Sequence, residues 1–158
     1  MAELTLEDIS EKMRDIDFTI LSTRTAGGQI AARPMSNNRQ VEYDGDSYFF
    51  TCEDTGMIRD IHADPNVGLS LQGKSGALGM KPFFITIEGR AEFIKDKSRF
   101  AEHWTKDLDA WFKEGADTPG LVLIKVHAER LHYWDGFDQG EISLERSPRA
   151  LEDVQHQR

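Results

Sequence analysis

The chain has 158 residues and a formal net charge of −9, with 39% hydrophobic and 30% charged residues. This length suits one domain over residues 1–158, and no apolar run approaches the ~18 residues that a membrane-spanning helix needs. The acidic balance argues against nucleic-acid binding, while a single cysteine, Cys52, and an N-terminus unlike a signal peptide predict a cytoplasmic protein without disulfides.

Sequence patterns predict two helices in the first half of the chain. Leucine, isoleucine and methionine recur at steps of three and four over residues 4–16, where Thr5 and Asp8 can form an N-terminal capping pair. Further on, Asp54 can cap a short helix that Pro65 would end, because the residue before a proline avoids helical backbone angles.

Six segments have the alternation or apolar clustering that is typical of β-strands. They are Phe18–Arg24, Gln29–Ser36, Ser47–Thr51, Val67–Gln72, Phe83–Ile94 and Leu121–Trp134. Turn residues at 26–28 and at Asp44 and Gly45 precede two of these strands, and Gly89 inside the fifth strand indicates a bulge or bend. Six strands with inserted helices predict a mostly antiparallel barrel, because closing a sheet removes its exposed edges.

Two further segments are predicted from spacing and polarity. Aromatic residues between Phe100 and Phe112 fall at helical spacing, which predicts a helix or a broken helix pair with Trp104 and Trp111 as packing residues. Residues 141–158 are polar and charged, so we expect them to form a loose tail.

Four short motifs carry a resemblance to a known family. They are ARPM (32–35), FFT (49–51), FITIEGRAEFI (84–94) and LHYWDG (131–136). In this order, they resemble the FMN-binding split-barrel superfamily, whose best-known member is pyridoxamine 5′-phosphate oxidase, and within it the general stress protein branch. The resemblance implies a mainly β fold with helices, a six-stranded and mostly antiparallel split β-barrel, usually a homodimer with FMN at its interface.

The resemblance also implies a set of residues that contact the flavin. They are Ala32, Arg33, Pro34, Met35, Thr51, Cys52, Thr55, Met57 and Trp134. Arg33 is expected to bind the phosphate with its guanidinium fork, and the alternative is an exposed strand arginine paired with a glutamate. Pro34 lacks an N–H and belongs at a strand edge or bulge, which leaves room for a flat ring beside the backbone. Trp134 could pack against the ring, or equally belong to the core or to an interface.

The start of the second predicted helix is a further candidate for the phosphate. Free N–H groups at Thr55, Gly56 and Met57, together with the helix dipole, favour an anion there, and Thr51 could add its hydroxyl. The oxidases of the superfamily place basic residues where this chain has Gly56 and Met57. The phosphate is therefore expected to depend on fewer cations than in the oxidases.

Acidic neighbours and missing cations separate this chain from the oxidases. Glu53 and Asp54 would repel a phosphate, which leaves Arg33 as its main partner, with help from Arg59 or from a lysine of the partner chain. Asn38 stands where the oxidases have a lysine, and the residues after the tryptophan motif offer no matching arginine. Both groups serve phosphorylated vitamin B6, so we do not expect an authentic pyridoxamine-phosphate oxidase.

Other cofactor classes lack their sequence signals. The five histidines show no HxH or HExxH spacing, no glycine-rich nucleotide motif occurs, and Cys52 is interpreted as a small buried residue rather than a nucleophile. The predicted function is an FMN-binding homodimer of the general stress protein type, and a flavin-dependent oxidoreductase of unknown substrate if the flavin turns over. The alternatives are the same fold with FAD or the deazaflavin F420, and a cofactor-free dimeric binding or stress-response module.

Overall fold

The computed structural model describes residues 3–37, 42–73 and 82–144, in which seven antiparallel strands form one sheet. The strands are β1 Phe18–Arg24, β2 Ile30–Ser36, β3 Asp46–Cys52, β4 Asn66–Gln72, β5 Phe83–Ile94, β6 Leu121–Asp135 and β7 Asp138–Ser143. The helices are α1 Leu6–Met13, α2 Gly56–Ala63 and α3 Lys97–Phe100, followed by 3₁₀ turns at Lys106–Ala110 and Gly115–Asp117. The predicted mainly β, antiparallel split-barrel class is confirmed, with seven strands instead of six.

The strand order is β2-β1-β4-β5-β6-β3, and β7 also pairs with β6. One edge of β6 pairs with β5. The other edge pairs with two strands in turn, with β3 along residues 121–127 and with β7 along residues 130–135. At the changeover, the register against β5 shifts so that Gly89 faces Ala128 while the preceding residue faces Arg130. The bulge expected at Gly89 is therefore confirmed, and the extra residue belongs to β6.

The core lies on one face of the sheet. Strands β1, β4 and β5 alternate between buried and exposed side chains, so each presents every second residue to the core. Helix α1 adds Ile9 and Met13 to this core, and helix α2 adds Met57 and Ile61. The opposite face of the same strands is left exposed, and we call it the outer face.

The caps of both longer helices follow from local hydrogen bonds. Thr5 and Asp8 form the predicted capping box at α1. At α2 the cap is Thr55 and not Asp54, because Thr55 has extended backbone angles and its Oγ1 accepts the Ile58 N–H at 3.4 Å. The helix ends at Ala63, and its C-cap residue Asp64 is extended before the proline as predicted.

A second, smaller core lies under the segment between β5 and β6. Phe50 contacts Phe100 and Trp104 edge-on, with ring centroids 5.5 and 4.9 Å apart. Trp104 packs against this cluster as predicted, but Trp111 is 66% exposed, so its predicted packing role is wrong. The reason is that the segment forms one short helix and two 3₁₀ turns, so the spacing of a single α-helix does not apply.

The end of the described chain differs from its prediction. Residues 141–143 belong to β7 and pair with β6, so the predicted loose tail does not begin at residue 141. The remainder of that tail, residues 145–158, and Asn38 lie outside the described residues, and the single-domain assignment stays a prediction. No helix in the described ranges is long and apolar enough to cross a membrane.

Candidate functional site

The nine predicted cofactor residues lie in three places in the fold. Residues 32–35 lie on β2, which forms one end of the sheet. Thr51 and Cys52 end β3, and Thr55 and Met57 follow at the start of α2. Trp134 lies near the end of β6. Thr51 and Cys52 lie close to Thr55 and Met57 simply because β3 runs directly into α2.

The edge strand β2 divides its four predicted residues between two faces. Ala32 and Pro34 are exposed, whereas Arg33 and Met35 are half-buried on the opposite face. Pro34 pairs with Ile20 of β1, so the expected edge position of this proline is confirmed. Small, exposed residues on an edge strand leave its backbone accessible to a flat ligand.

Arg33 is held by groups from two neighbouring elements. Its Nη1 donates to the Leu21 carbonyl at 3.3 Å and to Thr23 Oγ1 at 2.8 Å. Its Nη2 lies 3.7 Å from Oδ2 of Asp60 on α2. The acidic partner is therefore an aspartate from a helix and not a neighbouring glutamate. The Nε and Nη2 groups are the donors that a phosphate could still use.

The first turn of α2 carries a second arginine. A β-carbon at Gly56 would lie 3.5 Å from Arg59 Nη2, so this side chain folds back towards the start of the helix. Arg33 contacts the same helix at Asp60, about 6 Å further along its axis. Glu53 and Asp54 precede the helix and are exposed. Two cations and three carboxylates therefore lie just before α2 or along its first five residues.

The other predicted residues of the β3–α2 junction have fewer side-chain groups available to a ligand than the sequence suggested. Met57 is 6% exposed and packs in the core, so its backbone and not its side chain could meet a ligand. Thr55 Oγ1 accepts the Ile58 N–H as the helix cap. Thr51 is half-buried. Cys52 is also half-buried and not buried as predicted, because it lies at the end of β3, and its thiol is free.

Trp134 lies on the outer face, far along the sheet from Pro34. Its ring is stacked with that of His132 at a centroid distance of 6.0 Å and an angle of 20°. The strand order places four inter-strand steps between β2 and β6, or about 19 Å along the sheet. One flavin ring held by Pro34 could not also reach Trp134 of the same chain.

The outer face between these two residues exposes large apolar side chains among polar ones such as Ser70 and Gln72. Phe18, Ile20 and Phe84 are 53%, 40% and 38% exposed, and they line a groove of about 430 Å³. The groove also includes Ile16 and Thr86. Large apolar side chains exposed along one groove are typical of interaction surfaces.

Two contacting residues were missed by sequence reasoning. Thr23 and Asp60 both contact Arg33, and Thr23 Oγ1 donates to Asp60 Oδ2 at 2.9 Å. They come from β1 and α2, so no spacing in the sequence joins them to Arg33. The available signal was a polar residue at or beside a position that faces the core. Thr23 is itself buried, and Asp60 directly precedes the buried Ile61.

Another polar cluster lies where β3, β5 and β6 meet. His127 Nδ1 and Asp46 Oδ1 are 2.7 Å apart, and Lys125 Nζ lies 3.8 Å from Asp46 Oδ2 and 3.6 Å from Glu92 Oε1. In the described ranges, no three His, Cys, Asp or Glu side chains are grouped so that they could hold a metal ion. The cluster shares no residue with the contacts of Arg33.

Comparison with known proteins agrees with the fold. A family model described as "Pyridoxamine 5'-phosphate oxidase like" matches residues 5–145. General stress protein 26 of Bacillus subtilis (strain 168) is 24% identical over 143 residues, which cover 88% of this chain and 97% of that protein. The crystal structure of general stress protein 26 from Bacillus anthracis str. Sterne has a TM-score of 0.70 at 24% identity, covering 88% of this chain and 98% of that chain. A heme binding protein from Mycobacterium smegmatis has a TM-score of 0.72 at 14% identity, covering 90% and 60%.

Proposed function

Because the chain belongs to the pyridoxamine 5′-phosphate oxidase-like family, we propose that it is a cytoplasmic, homodimeric FMN-binding protein of the general stress protein type. Its bound flavin would serve an oxidoreductase reaction whose substrate the chain does not identify. The observation that carries this proposal is the position of Arg33 and Arg59 against the first two turns of α2, beside an edge strand with small exposed residues.

The phosphate fits the start of α2 on chemical grounds. The exposed Gly56 lets a ligand approach the free N–H groups of the first turn, where the helix dipole favours an anion. Arg59 folds towards the same turn, and Arg33 can offer its Nε and Nη2 groups. These residues would hold the phosphate, and FMN would supply hydride or electron transfer when bound.

Because the phosphate position lies on the core side of β2, the ring would cross the free edge of this strand to its outer face and meet a second copy of the chain there. Ala32 and Pro34 offer backbone and small side chains on one copy. Trp134 is too far along the sheet to reach that ring, so the Trp134 that contacts it would come from the partner. The exposed Phe18, Ile20 and Phe84 lie between these positions and would be buried by such a dimer.

Vitamin B6 phosphate oxidation is not proposed. The oxidases use an arginine after the tryptophan motif, and here β7 follows with the sequence DQGEIS. Its side chains include two carboxylates, Asp138 and Glu141, which would repel a phosphorylated substrate. A different substrate is therefore proposed for any turnover.

Titration of the purified protein with FMN, followed by quenching of flavin fluorescence, tests the proposal. Arg33→Ala should weaken FMN by about 1.5–3 kcal/mol, because a charge-assisted hydrogen bond is lost, and Arg59→Ala should weaken it less. Arg24→Ala is the matched control, since it removes the same charge from an exposed position on β1. Absence of saturable quenching at micromolar protein would refute FMN binding.

Mixed dimers test the shared site. Neither Arg33→Ala nor Trp134→Ala alone should bind FMN as the wild type does. After the two variants are unfolded together and refolded, roughly a quarter of all sites should regain wild-type affinity, because each mixed dimer has one intact site. No recovery in a mixture that sediments as a dimer would show that each site is built from one chain.

Spectra of the released ligand separate the rival cofactors. FAD or F420 in place of FMN would be recognised by the chromatography and absorption of material released from freshly purified protein. Heme is a further rival because of the heme-binding neighbour and because the half-buried His132 on the outer face could serve as an axial ligand. A saturable Soret change with hemin and no response to FMN would favour heme, and no response to either would favour a cofactor-free module.

A further inference from the structure

Thr23, Arg33 and Asp60 form a closed cycle of contacts that joins β1, β2 and α2. Arg33 Nη1 donates to Thr23 Oγ1 at 2.8 Å, Thr23 Oγ1 donates to Asp60 Oδ2 at 2.9 Å, and Arg33 Nη2 lies 3.7 Å from the same Oδ2. Because Thr23 accepts from Arg33, its single hydrogen is directed to Asp60. Thr23 is 2% exposed, so these bonds hold the guanidinium in one place with little competition from water.

We propose that Asp60 is an internal counter-ion that competes with the ligand phosphate for Arg33 and so sets the phosphate affinity of the site. Thr23 acts as a positioning residue, because it fixes the guanidinium between the carboxylate and the ligand. This inference rests on the proposed flavin site. It adds a specificity-determining residue that neither the motifs nor the spacing of the sequence indicated.

The physical basis is the part of the positive charge on Arg33 that Asp60 does not balance, because only this part attracts a ligand phosphate. A carboxylate beside one of the two terminal nitrogens cancels part of the positive potential that an arriving phosphate would meet. The phosphate must then share Nη2 with Asp60 and must approach a like charge. A ligand with the same ring system and no phosphate would meet neither effect.

A comparison of FMN with riboflavin isolates this effect, because the two ligands differ only in the phosphate. We expect Asp60→Asn to raise FMN affinity about two- to fivefold and to leave riboflavin affinity unchanged, since the amide still accepts from Thr23 but carries no charge. Thr23→Val keeps the side-chain shape and should lower FMN affinity selectively by a similar factor. Glu11→Gln, an exposed carboxylate on α1, is the control for the change in net charge.

Each outcome of this comparison decides the proposal. An unchanged ratio of FMN to riboflavin affinity in Asp60→Asn, with wild-type FMN binding intact, would overturn the counter-ion role and leave the proposed function standing. A selective loss of FMN affinity would also overturn it, since Asp60 would then support the phosphate contact. Binding by Asp60→Asn but not by the wild type would refute FMN binding by the native chain while supporting the counter-ion role of Asp60, and binding by neither would refute both proposals. Asp60→Ser repeats the test if the asparagine variant does not fold.

Discussion

Replacing Gly89 with alanine should destabilise the sheet at the point where β6 changes its partner from β3 to β7. A β-carbon at this position would lie 2.8 Å from the carbonyl oxygen of His127 and 2.8 Å from Cγ1 of Val126. The first of these atoms is backbone, so a change of rotamer cannot relieve the clash. The two strands would have to separate at the bulge, where Gly89 pairs with Ala128.

The expected size follows from overpacking, which costs about 1–3 kcal/mol when a methyl group enters a filled site. For a chain of this length, that loss lowers the melting temperature by about 2–12 °C, which far-UV circular dichroism can measure. Gly68→Ala is the matched control, because its β-carbon would come no closer than 3.8 Å to any neighbour on the adjacent strand. If both variants melt within a degree of each other, the close approach at Gly89 is not what requires glycine.

Three further predictions concern the first helix and its contact with β6. Thr5→Ala should cost about 1 kcal/mol in urea unfolding, because the capping box loses the hydroxyl that accepts the Asp8 N–H. The backbone and side-chain hydrogen bonds from Thr5 lower the pKa of Asp8 below its usual 3.8, so their stabilisation is present at neutral pH and lost as the pH falls through the lowered pKa. Asp8→Asn should therefore flatten the acid side of a melting-temperature profile, and an unaltered profile would contradict this. Tyr133→Phe should cost about 1 kcal/mol, because the Leu4 N–H loses the acceptor 3.0 Å away, and equal unfolding midpoints would refute it.

Strand positions were predictable where burial alternates along the chain. Phe18–Arg24 and Phe83–Ile94 have the same bounds in sequence and structure, because their side chains alternate between core and outer face and turn or proline residues bound them. Strand β7 was missed because DQGEIS is polar. Its one large apolar residue, Ile142, packs against the core, and pairing with β6 rather than hydrophobicity makes it a strand.

The candidate site was predictable only as separate pieces. Sequence motifs predicted Arg33 and the start of α2 as candidate positions, and the edge position of Pro34 followed from its missing N–H. The contact between Arg33 and Asp60 depends on how α2 packs against β1, which no local pattern specifies. For the same reason, Trp134 could be assigned to the flavin only through the resemblance, since its distance from β2 depends on the order of strands in the sheet.

The charges around α2 limit how much a phosphate can contribute to the proposed flavin affinity. Arg33 and Arg59 lie against the first turns of the helix, while Asp60 contacts one of them and Glu53 and Asp54 are exposed beside it. A phosphate therefore gains less here than in oxidases with basic residues at the helix start. Burial of the ring between two copies contributes about 25 cal/mol per Å² of apolar surface and does not depend on these charges. Flavin affinity should accordingly vary little with salt and fall steeply when the dimer is diluted into monomers, since half of the ring contacts then disappear.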